Sequence, residues 1–192
     1  AVGGTGRQAR SVDELAALLL EMGDLSTREV QQRTTGDALA WLDELVRRGS
    51  VVAREIGAHG AMDVRWLHRE LSDQYEGWAA GKAKTVVQRY LRWSGPVTKD
   101  HLLDRYPINP SVLDEILAGL VAGQEVVQGH FTEASAGLQF LDRHVFEQIY
   151  RRTIAALRRE VQPVPLAAFQ AFLLAWQRVS SDGPSETGSP GA

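Results

Sequence analysis

The strongest constraint on the fold is an internal repeat, because two segments of the chain carry the same motifs in the same order. The segment Gly23-Asp24-Leu25-Ser26 corresponds to Gly95-Pro96-Val97-Thr98 at an offset of 72 residues. The later correspondences are Leu42-x-x-Leu45-Val46 with Leu117-x-x-Leu120-Val121, Val51-Val52 with Val126-Val127, and Trp66-Leu67 with Phe140-Leu141. The offset drifts by a few residues, as insertions in loops produce. The repeat therefore predicts two copies of one structural unit.

The first copy shows the pattern of three helices followed by a β-hairpin. Ser11 and Ser26 each stand three residues before a glutamate, which is the spacing of a helix capping box. A third helix is predicted from Asp37 to Arg48, and its apolar stripe is Ala38, Leu42, Leu45 and Val46. Residues 51–56 and 64–67 predict the two strands of the hairpin. This order of elements is that of a winged helix.

The second copy repeats the order, and two further helices follow it. Thr98 is predicted to cap its second helix and Pro110 to open its third. The predicted organisation is a linker at 1–10, winged helices at 11–71 and 85–143 around a packed helical linker at 72–84, a helical annex at 144–179 and a flexible tail at 180–192. The predicted fold class is therefore mostly α with small β-hairpins (α+β), with tandem winged-helix domains followed by a helical annex.

The composition excludes several classes of function. The chain has 192 residues, no cysteine and a net charge of −3, which excludes a disulfide scaffold, a thiolate zinc site and a histone-like basic protein. No signal peptide or membrane span is evident, so a cytoplasmic protein is expected. The chain lacks an initiating methionine and ends in a low-complexity stretch, which favours a fragment of a larger protein.

No catalytic or cofactor site is predicted within the chain. The five histidines share no ligand spacing. The segment Gly77–Ala83 approaches a P-loop, but it lacks one residue between its glycines and has alanine where Mg²⁺ needs a hydroxyl. We therefore interpret that segment as a chance similarity.

Positive charge concentrates on the first helix of the annex. Residues 144–162 carry a balance of +2, whereas residues 1–143 carry −4. Arg151, Arg152, Arg158 and Arg159 fall opposite the apolar face of that helix, which is formed by Phe146, Ile149, Tyr150, Thr153, Ile154, Leu157 and Val161. Four guanidiniums on one face can follow a nucleic-acid backbone. Pairing with the acidic faces of the winged helices is an equally open alternative.

The third helices of the two winged helices give different predictions for DNA contact. In the second copy this helix offers only Ser111, Asp114, Glu115 and Ala118 to solvent, so it is not expected to read DNA. In the first copy the helix ends in Arg47 and Arg48, and Arg54 begins the wing. These three arginines are candidate phosphate contacts, with a solvated helix end as the alternative.

The tryptophans divide into two groups. Trp41, Trp66 and Trp93 lie at positions that suit core or interdomain packing. Trp78 and Trp176 are candidates for stacking on a nucleic-acid base, although core packing is favoured for each of the five.

Several runs of residues resemble the large helicase-related (Lhr) family. The run Arg151–Val164 resembles a stretch found in those proteins, and Phe172-Leu173-Leu174-Ala175-Trp176-Gln177 continues the resemblance. Further upstream, Tyr90–Thr98, Leu18–Leu25 and Arg65-Trp66-Leu67 also fit the family. The resemblance spans Ser11 to Val179.

The resemblance implies a function in DNA metabolism. The family comprises bacterial superfamily-2 ATP-dependent DNA helicases and translocases linked to DNA repair. This chain has no Walker A motif, Asp-Glu-x-His box or motor arginines, so the resemblance implies an accessory DNA-engaging region that follows the motor domains and is non-catalytic by itself. The parent protein's motor domains would use ATP and Mg²⁺. The implied partners are single-stranded or tailed DNA and those motor domains, with no membrane.

Two other classes of function remain open. Tandem winged helices with acidic third helices also occur in protein-interaction scaffolds of the chromosome-segregation adaptor type, which bind partners rather than DNA. A transcriptional regulator is the other class, although it requires a basic recognition helix, which the sequence lacks.

Overall fold

The computed structural model of the chain describes residues 8–58, 61–132, 137–160 and 166–176. The chain forms two compact units, residues 1–150 and residues 151–192. Both winged helices lie in the first unit, so their mutual contacts belong to one body. The predicted fold class, an α+β fold of tandem winged helices with a helical annex, is confirmed.

The first winged helix contains three helices and a three-stranded antiparallel sheet. Its elements are α1 (Val12–Met22), β1 (Leu25–Ser26), α2 (Thr27–Gln32), α3 (Ala38–Arg47), β2 (Val51–Ala58) and β3 (Ala61–His68). The strand order is β1-β3-β2, with Leu25 opposite Trp66. The two-residue strand β1 is absent from the sequence prediction because two residues show no alternation of polar and apolar side chains.

The helix starts follow the predicted capping residues. Around Ser26 both bonds of the capping box form: the serine hydroxyl accepts from the Glu29 N–H at 3.2 Å, and the Glu29 carboxylate accepts from the Ser26 N–H at 2.8 Å. At Ser11 only half of the box forms. Its hydroxyl accepts from the Glu14 N–H, but the Glu14 carboxylate accepts from the N–H of Arg10 instead.

The second winged helix has the same architecture with a shorter wing. A 3₁₀ helix (Arg69–Tyr75) precedes α4 (Ala80–Trp93), β4 (Val97–Thr98), α5 (Lys99–Arg105), α6 (Pro110–Ala122), β5 (Val126–Gly129) and β6 (Gln139–Asp142). Its strand order, β4-β6-β5, matches that of the first sheet. The strands β5 and β6 have four residues each, whereas β2 and β3 have eight.

Two segments assigned to linkers are part of the packed fold. Ala9, at the end of the predicted linker 1–10, is buried, and its backbone bonds to Arg33 and Thr35. In the predicted linker 72–84, Tyr75 and Ala83 are buried, and α4 already begins at Ala80. Backbone pairing anchors the first segment at Ala9, and the buried side chains of Tyr75 and Ala83 anchor the segment 72–84.

The two winged helices have different kinds of core. The first contains a core of its own, made of Ala9, Leu15, Leu18, Leu19, Leu25, Val30, Ala38, Leu42, Leu45 and Val51. The core of the second extends into the first, because Ile56, Leu67, Leu71 and Tyr75 join its helices α4 to α6. One prediction is wrong here: Val46, assigned to the apolar stripe of α3, is 45% exposed. The buried residues of α3 are Ala38, Leu42 and Leu45, so Val46 lies at the edge of the stripe.

The annex begins with α7 (Arg143–Glu160), which crosses from the first unit into the second, and continues with α8 (Leu166–Trp176). Val161, the two prolines of 161–165 and the predicted tail 180–192 lie outside the described residues. Among the residues that the structure describes, no helix is long and apolar enough to cross a membrane.

Candidate nucleic-acid interface

Both arginines at the end of α3 form ion pairs with acidic neighbours. Arg47 pairs with Glu44, one turn earlier. Arg48 Nε lies 2.9 Å from the second carboxylate oxygen of Glu44, and Arg48 Nη1 lies 2.9 Å from Asp13 Oδ1 on α1. The hydrogen bond from Arg48, with the charges of both arginines, holds the pKa of Glu44 below its ordinary value. Any phosphate contact by these candidates therefore competes with existing carboxylate pairs.

The third candidate of the first winged helix, Arg54, is held against its own domain. Its Nη2 donates to Ser72 Oγ and to Glu76 Oε1, each at 2.6 Å. These bonds join β2 to the 3₁₀ helix, which contains Ser72, and to Glu76 directly after it. Arg54 therefore lies on the wing strand as predicted, but its guanidinium is directed towards the domain junction.

The third helix of the second winged helix is acidic at its surface. Ser111, Asp114, Glu115 and Ala118 are all exposed, as the sequence predicts. Asp114 pairs with Lys99 Nζ of α5 at 2.6 Å. Since α6 itself contains no cation, its outer face repels a phosphate backbone.

The annex arginines that the structure describes lie at the surface. Arg151, Arg152 and Arg158 are exposed on α7, whereas the side chain of Arg159 lies outside the described residues. The apolar face of the helix is exposed as well, with Tyr150 and Leu157 more than half accessible. Both faces of α7 are therefore accessible to solvent along the residues that the structure describes.

The tryptophans do not all occupy the predicted environments. Trp78, a stacking candidate, packs instead against Tyr75 and Tyr106, with ring centroids 5.9 and 5.5 Å away. Trp93, predicted in a core, is 40% exposed, and Trp176 is 73% exposed at the end of α8. Trp93 follows Leu91 by two residues, so it turns away from the buried face of α4.

A buried polar cluster joins the two winged helices, and the sequence did not predict it. Arg105 of α5 donates from Nη2 to the carbonyl oxygen of Asp24 at 2.9 Å and to its Oδ2 at 2.8 Å. The same guanidinium donates to both carboxylate oxygens of Glu29 at 3.1 Å. Asp24 precedes β1 and Glu29 lies on α2, so one arginine of the second domain binds two acids of the first.

Two tyrosines complete this cluster around Asp24. The hydroxyl of Tyr106 donates to Asp24 Oδ1 at 2.6 Å, and the hydroxyl of Tyr75 donates to the same oxygen at 3.1 Å. Burial and the Asp24 charge raise the pKa of both tyrosines, which keeps them as neutral donors. We call Asp24, Glu29, Tyr75, Arg105 and Tyr106 the junction cluster.

A second arginine contacts the junction cluster through charge alone. Arg65 Nη1 lies 3.6 Å from Asp24 Oδ2 and from Glu29 Oε2, and Nε lies 3.1 Å from Asp63 Oδ2. Nε and Nη1 are buried and make no hydrogen bond to the described residues. Two guanidiniums thus face two carboxylates, which neutralises the buried charge.

The guanidinium of Arg105 also contacts aromatic rings. It lies 4.4 Å from the centroid of the Tyr90 ring, which is within the range of a cation–π contact. The hydroxyl of Tyr90 lies 2.7 Å from His101 Nε2. Burial, followed by the nearby charge of Arg105, lowers the pKa of His101 and favours its neutral form.

No sequence pattern indicated that the residues of the junction cluster would meet between the two domains. Arg105 ends a short helix and Glu29 occupies a capping position, and both are ordinary local roles. Glu29 and Arg105 are 76 positions apart in the chain, so their contact depends on the tertiary fold. Within the described residues, no group of three or more histidine, aspartate or glutamate side chains could hold a metal ion.

Two comparisons with known proteins agree with this architecture. Residues 3–70 match the family model of the winged-helix domain of large helicase-related protein. The Lhr helicase/probable uracil glycosylase of Mycolicibacterium smegmatis is 29% identical over an alignment that covers 91% of this chain. That alignment covers only 12% of the relative, so this chain spans about an eighth of its length.

Proposed function

We propose that this chain, whose resemblance to the large helicase-related proteins is confirmed, is an accessory DNA-engaging region of an ATP-dependent DNA helicase or translocase. The region follows the motor domains and serves DNA repair in the bacterial cytoplasm. The observation that carries the proposal is the similarity to a helicase along 91% of the chain. A similarity limited to one winged helix would fit many unrelated proteins, because that fold serves many functions.

The region has no catalytic role of its own in this proposal. ATP and Mg²⁺ bind to the motor domains of the parent protein, and the tandem winged helices hold single-stranded or tailed DNA beside them. The name of the M. smegmatis relative combines a helicase with a probable uracil glycosylase. A helicase and a uracil glycosylase both act on nucleic acid, so an accessory DNA-holding role fits a parent with either activity.

The junction cluster supports the proposal that the two winged helices act together as one rigid platform for DNA. Buried charges that are paired across an interface fix the register of the two partners, because any displacement leaves a charge unpaired. Arg105 holds Asp24 and Glu29 together, so the two winged helices turn as one body. DNA held by one of them is therefore held at a fixed orientation to the other.

The first experiment reads the gene upstream of this chain. A P-loop followed by the remaining helicase motifs is expected in the same open reading frame. An open reading frame that begins just before Ala1, with no motor motif, would refute the assignment to a helicase.

The second experiment measures DNA binding by the full chain. Fluorescence anisotropy with a tailed duplex should show an affinity that falls steeply with salt, because cations that contact phosphates release counterions. The double variant Arg151→Ala/Arg158→Ala should weaken binding and flatten the salt dependence. The control is Arg47→Ala, which removes a cation already paired with Glu44. An unchanged salt dependence in the double variant would remove the annex arginines from the interface.

A protein-interaction scaffold is the second candidate, favoured by the surface of α3. Leu39 and Val46 are 50% and 45% exposed on this helix, with the exposed Asp43 between them. Exposed apolar residues beside an acidic residue are better suited to contact another protein than the phosphate backbone of DNA, which the acid repels. Absence of DNA binding at low salt, together with a complete short gene, would favour this candidate over the first.

A further inference from the structure

We propose that the outer face of α4 is a second contact surface for the phosphate backbone of nucleic acid, formed by Lys82, Lys84 and Arg92. This inference rests on the proposed function, since it assigns a further binding site to the same DNA. We call these three side chains the α4 basic face. None of them is among the contact residues predicted from the sequence.

The charge of α4 sets it apart from the neighbouring helices. It contains four cations and no acidic residue in 14 residues. In contrast, α1 contains three acids and no cation, and α6 contains two acids and no cation. Among the helices of the described chain, α4 alone carries cations without any acid. The net charge of −3 therefore conceals a second local excess of positive charge besides the annex.

The geometry of the helix places these cations on its solvent side. Ala83, Val86, Val87 and Leu91 are buried against the core of the second winged helix. Lys84 and Arg92 are eight residues apart, so they are separated by about 12 Å along the helix axis and about 80° around it. Lys82 lies about another 80° around the helix beyond Arg92, so the three cations are spread across the exposed half of α4. Such an arrangement lets long flexible cations contact successive phosphates along a strand.

The cations of the α4 basic face are not paired with carboxylates of the described residues. Lys82, Lys84 and Arg92 are exposed, and within the described residues their side chains form no ion pair or hydrogen bond. The fourth cation of α4, Arg89, donates to Gln74 Oε1 at 2.7 Å and is held at the domain junction. On α3, by comparison, both arginines are paired with Glu44. A phosphate that binds α4 therefore displaces no existing pair.

Two acids lie close to the face and limit its potential. Glu125 accepts a hydrogen bond from Gln88, which lies between Lys84 and Arg92 on the helix. Glu115 and Lys84 line the same open groove of about 300 Å³ between α4 and α6. Removal of the Glu115 charge should make the local electrostatic potential more positive. A variant at Glu115 should therefore strengthen DNA binding, whereas loss of the cations should weaken it.

An exposed aromatic ring stands at the end of the face. Trp93 is the last residue of α4, and 40% of its surface is accessible. Aromatic rings beside a cationic track are a common feature of sites for single-stranded nucleic acid, because bases stack on them. The combination favours a strand with unpaired bases over a continuous duplex.

The test uses the full chain and a fluorescent duplex with a single-stranded tail, with anisotropy measured across salt concentrations. The variant Lys82→Gln/Lys84→Gln/Arg92→Gln should bind at least tenfold more weakly. Its salt slope should fall by about three, because each lost phosphate contact removes about one. Lys99→Gln is the matched control, since Lys99 pairs with Asp114, and its affinity should stay within about twofold of the wild type. Glu115→Gln should strengthen binding.

The outcomes separate this inference from the proposed function. A triple variant that binds with unchanged affinity and slope, while Arg151→Ala/Arg158→Ala binds weakly, overturns the α4 site and leaves the proposed function standing. A wild-type chain that binds no DNA at low salt overturns both. Circular dichroism confirms that each variant is folded, which these exposed positions should allow. Weakening by Lys99→Gln equal to that of the triple variant would show a non-specific charge effect and also overturn the site.

Discussion

The two winged helices share one architecture but depend on each other to different degrees. The first encloses a core of its own residues, whereas the core of the second includes Ile56 and Leu67 from the first sheet. The junction cluster adds a polar contact, in which the first domain supplies acids and the second supplies Arg105. The repeat thus produces two similar folds, of which the second is completed by the first.

The largest effect is expected from breaking the junction cluster. Arg105→Met leaves the buried carboxylate of Asp24 and the half-buried carboxylate of Glu29 without their main partner, which should cost about 3–5 kcal/mol of unfolding free energy. Urea denaturation followed by circular dichroism measures this loss. A matched substitution of an exposed cation, Lys99→Met, should change the unfolding free energy by less than about 1 kcal/mol. Equal stability of the two variants would contradict a structural role for the cluster.

The next effect compares the two equivalent glycines of the repeat. Gly23 has φ +92°, and a Cβ there would lie 2.6 Å from the Tyr75 hydroxyl, whereas a Cβ at Gly95 would meet no atom within 4 Å. Gly23→Ala should therefore destabilise the chain by about 1–3 kcal/mol, through backbone strain and displacement of Tyr75. Gly95→Ala should be neutral or stabilise by up to about 1 kcal/mol.

Thermal and urea unfolding of the two glycine variants test this difference. Comparable destabilisation at both positions would show that the repeat imposes the same backbone at each. The expected asymmetry would instead locate the constraint in the approach of Tyr75, which only the first copy experiences.

A smaller effect is expected at the two equivalent N-caps. Ser26 forms both bonds of a capping box, whereas the hydroxyl of Thr98 accepts one cap bond, from the His101 N–H at 3.2 Å. Ser26→Ala should cost about 1–2 kcal/mol and Thr98→Ala about 0.5–1 kcal/mol. Unfolding free energies measured side by side decide the order, and a larger loss for Thr98→Ala would reverse this interpretation.

The smallest effect is a pH dependence that the junction cluster contributes. Burial alone would raise the pKa of Glu29, but the charge and hydrogen bonds of Arg105 outweigh it and hold the pKa below the ordinary value of 4.5. Because the folded pKa is the lower one, the unfolded chain takes up the proton first as pH falls. This contribution to stability is therefore complete above pH 4.5 and is lost as pH falls through the folded pKa.

Urea unfolding of the wild type and Glu29→Gln between pH 3 and pH 7 measures this contribution. The loss of stability with acid should be smaller in the variant, which has no carboxylate to titrate at this position. Parallel curves for the two proteins would show that other groups cause the acid sensitivity.

The order of elements was predictable from local sequence, because capping residues, glycines and apolar spacing act within a few residues. Ser26 and Glu29 define the start of α2, and Pro110 opens α6 as expected. The sequence predicted two properties less well: the burial of residues at the edges of apolar stripes, and the partners of charged side chains. Val46 and Trp93 lie at the margins of apolar stripes, where burial depends on the neighbouring element rather than on spacing.

The sequence by itself determined the tandem winged helices, the acidic surface of α6 and the resemblance to large helicase-related proteins. Only the tertiary structure decided which charges are paired. Arg54 is bound to Ser72 and Glu76, and Arg105 lies buried among acids of the other domain. The physical reason is the sequence separation of the contacts. A helix forms through contacts within four residues, whereas Asp24 and Arg105 are 81 positions apart and meet only in the tertiary fold.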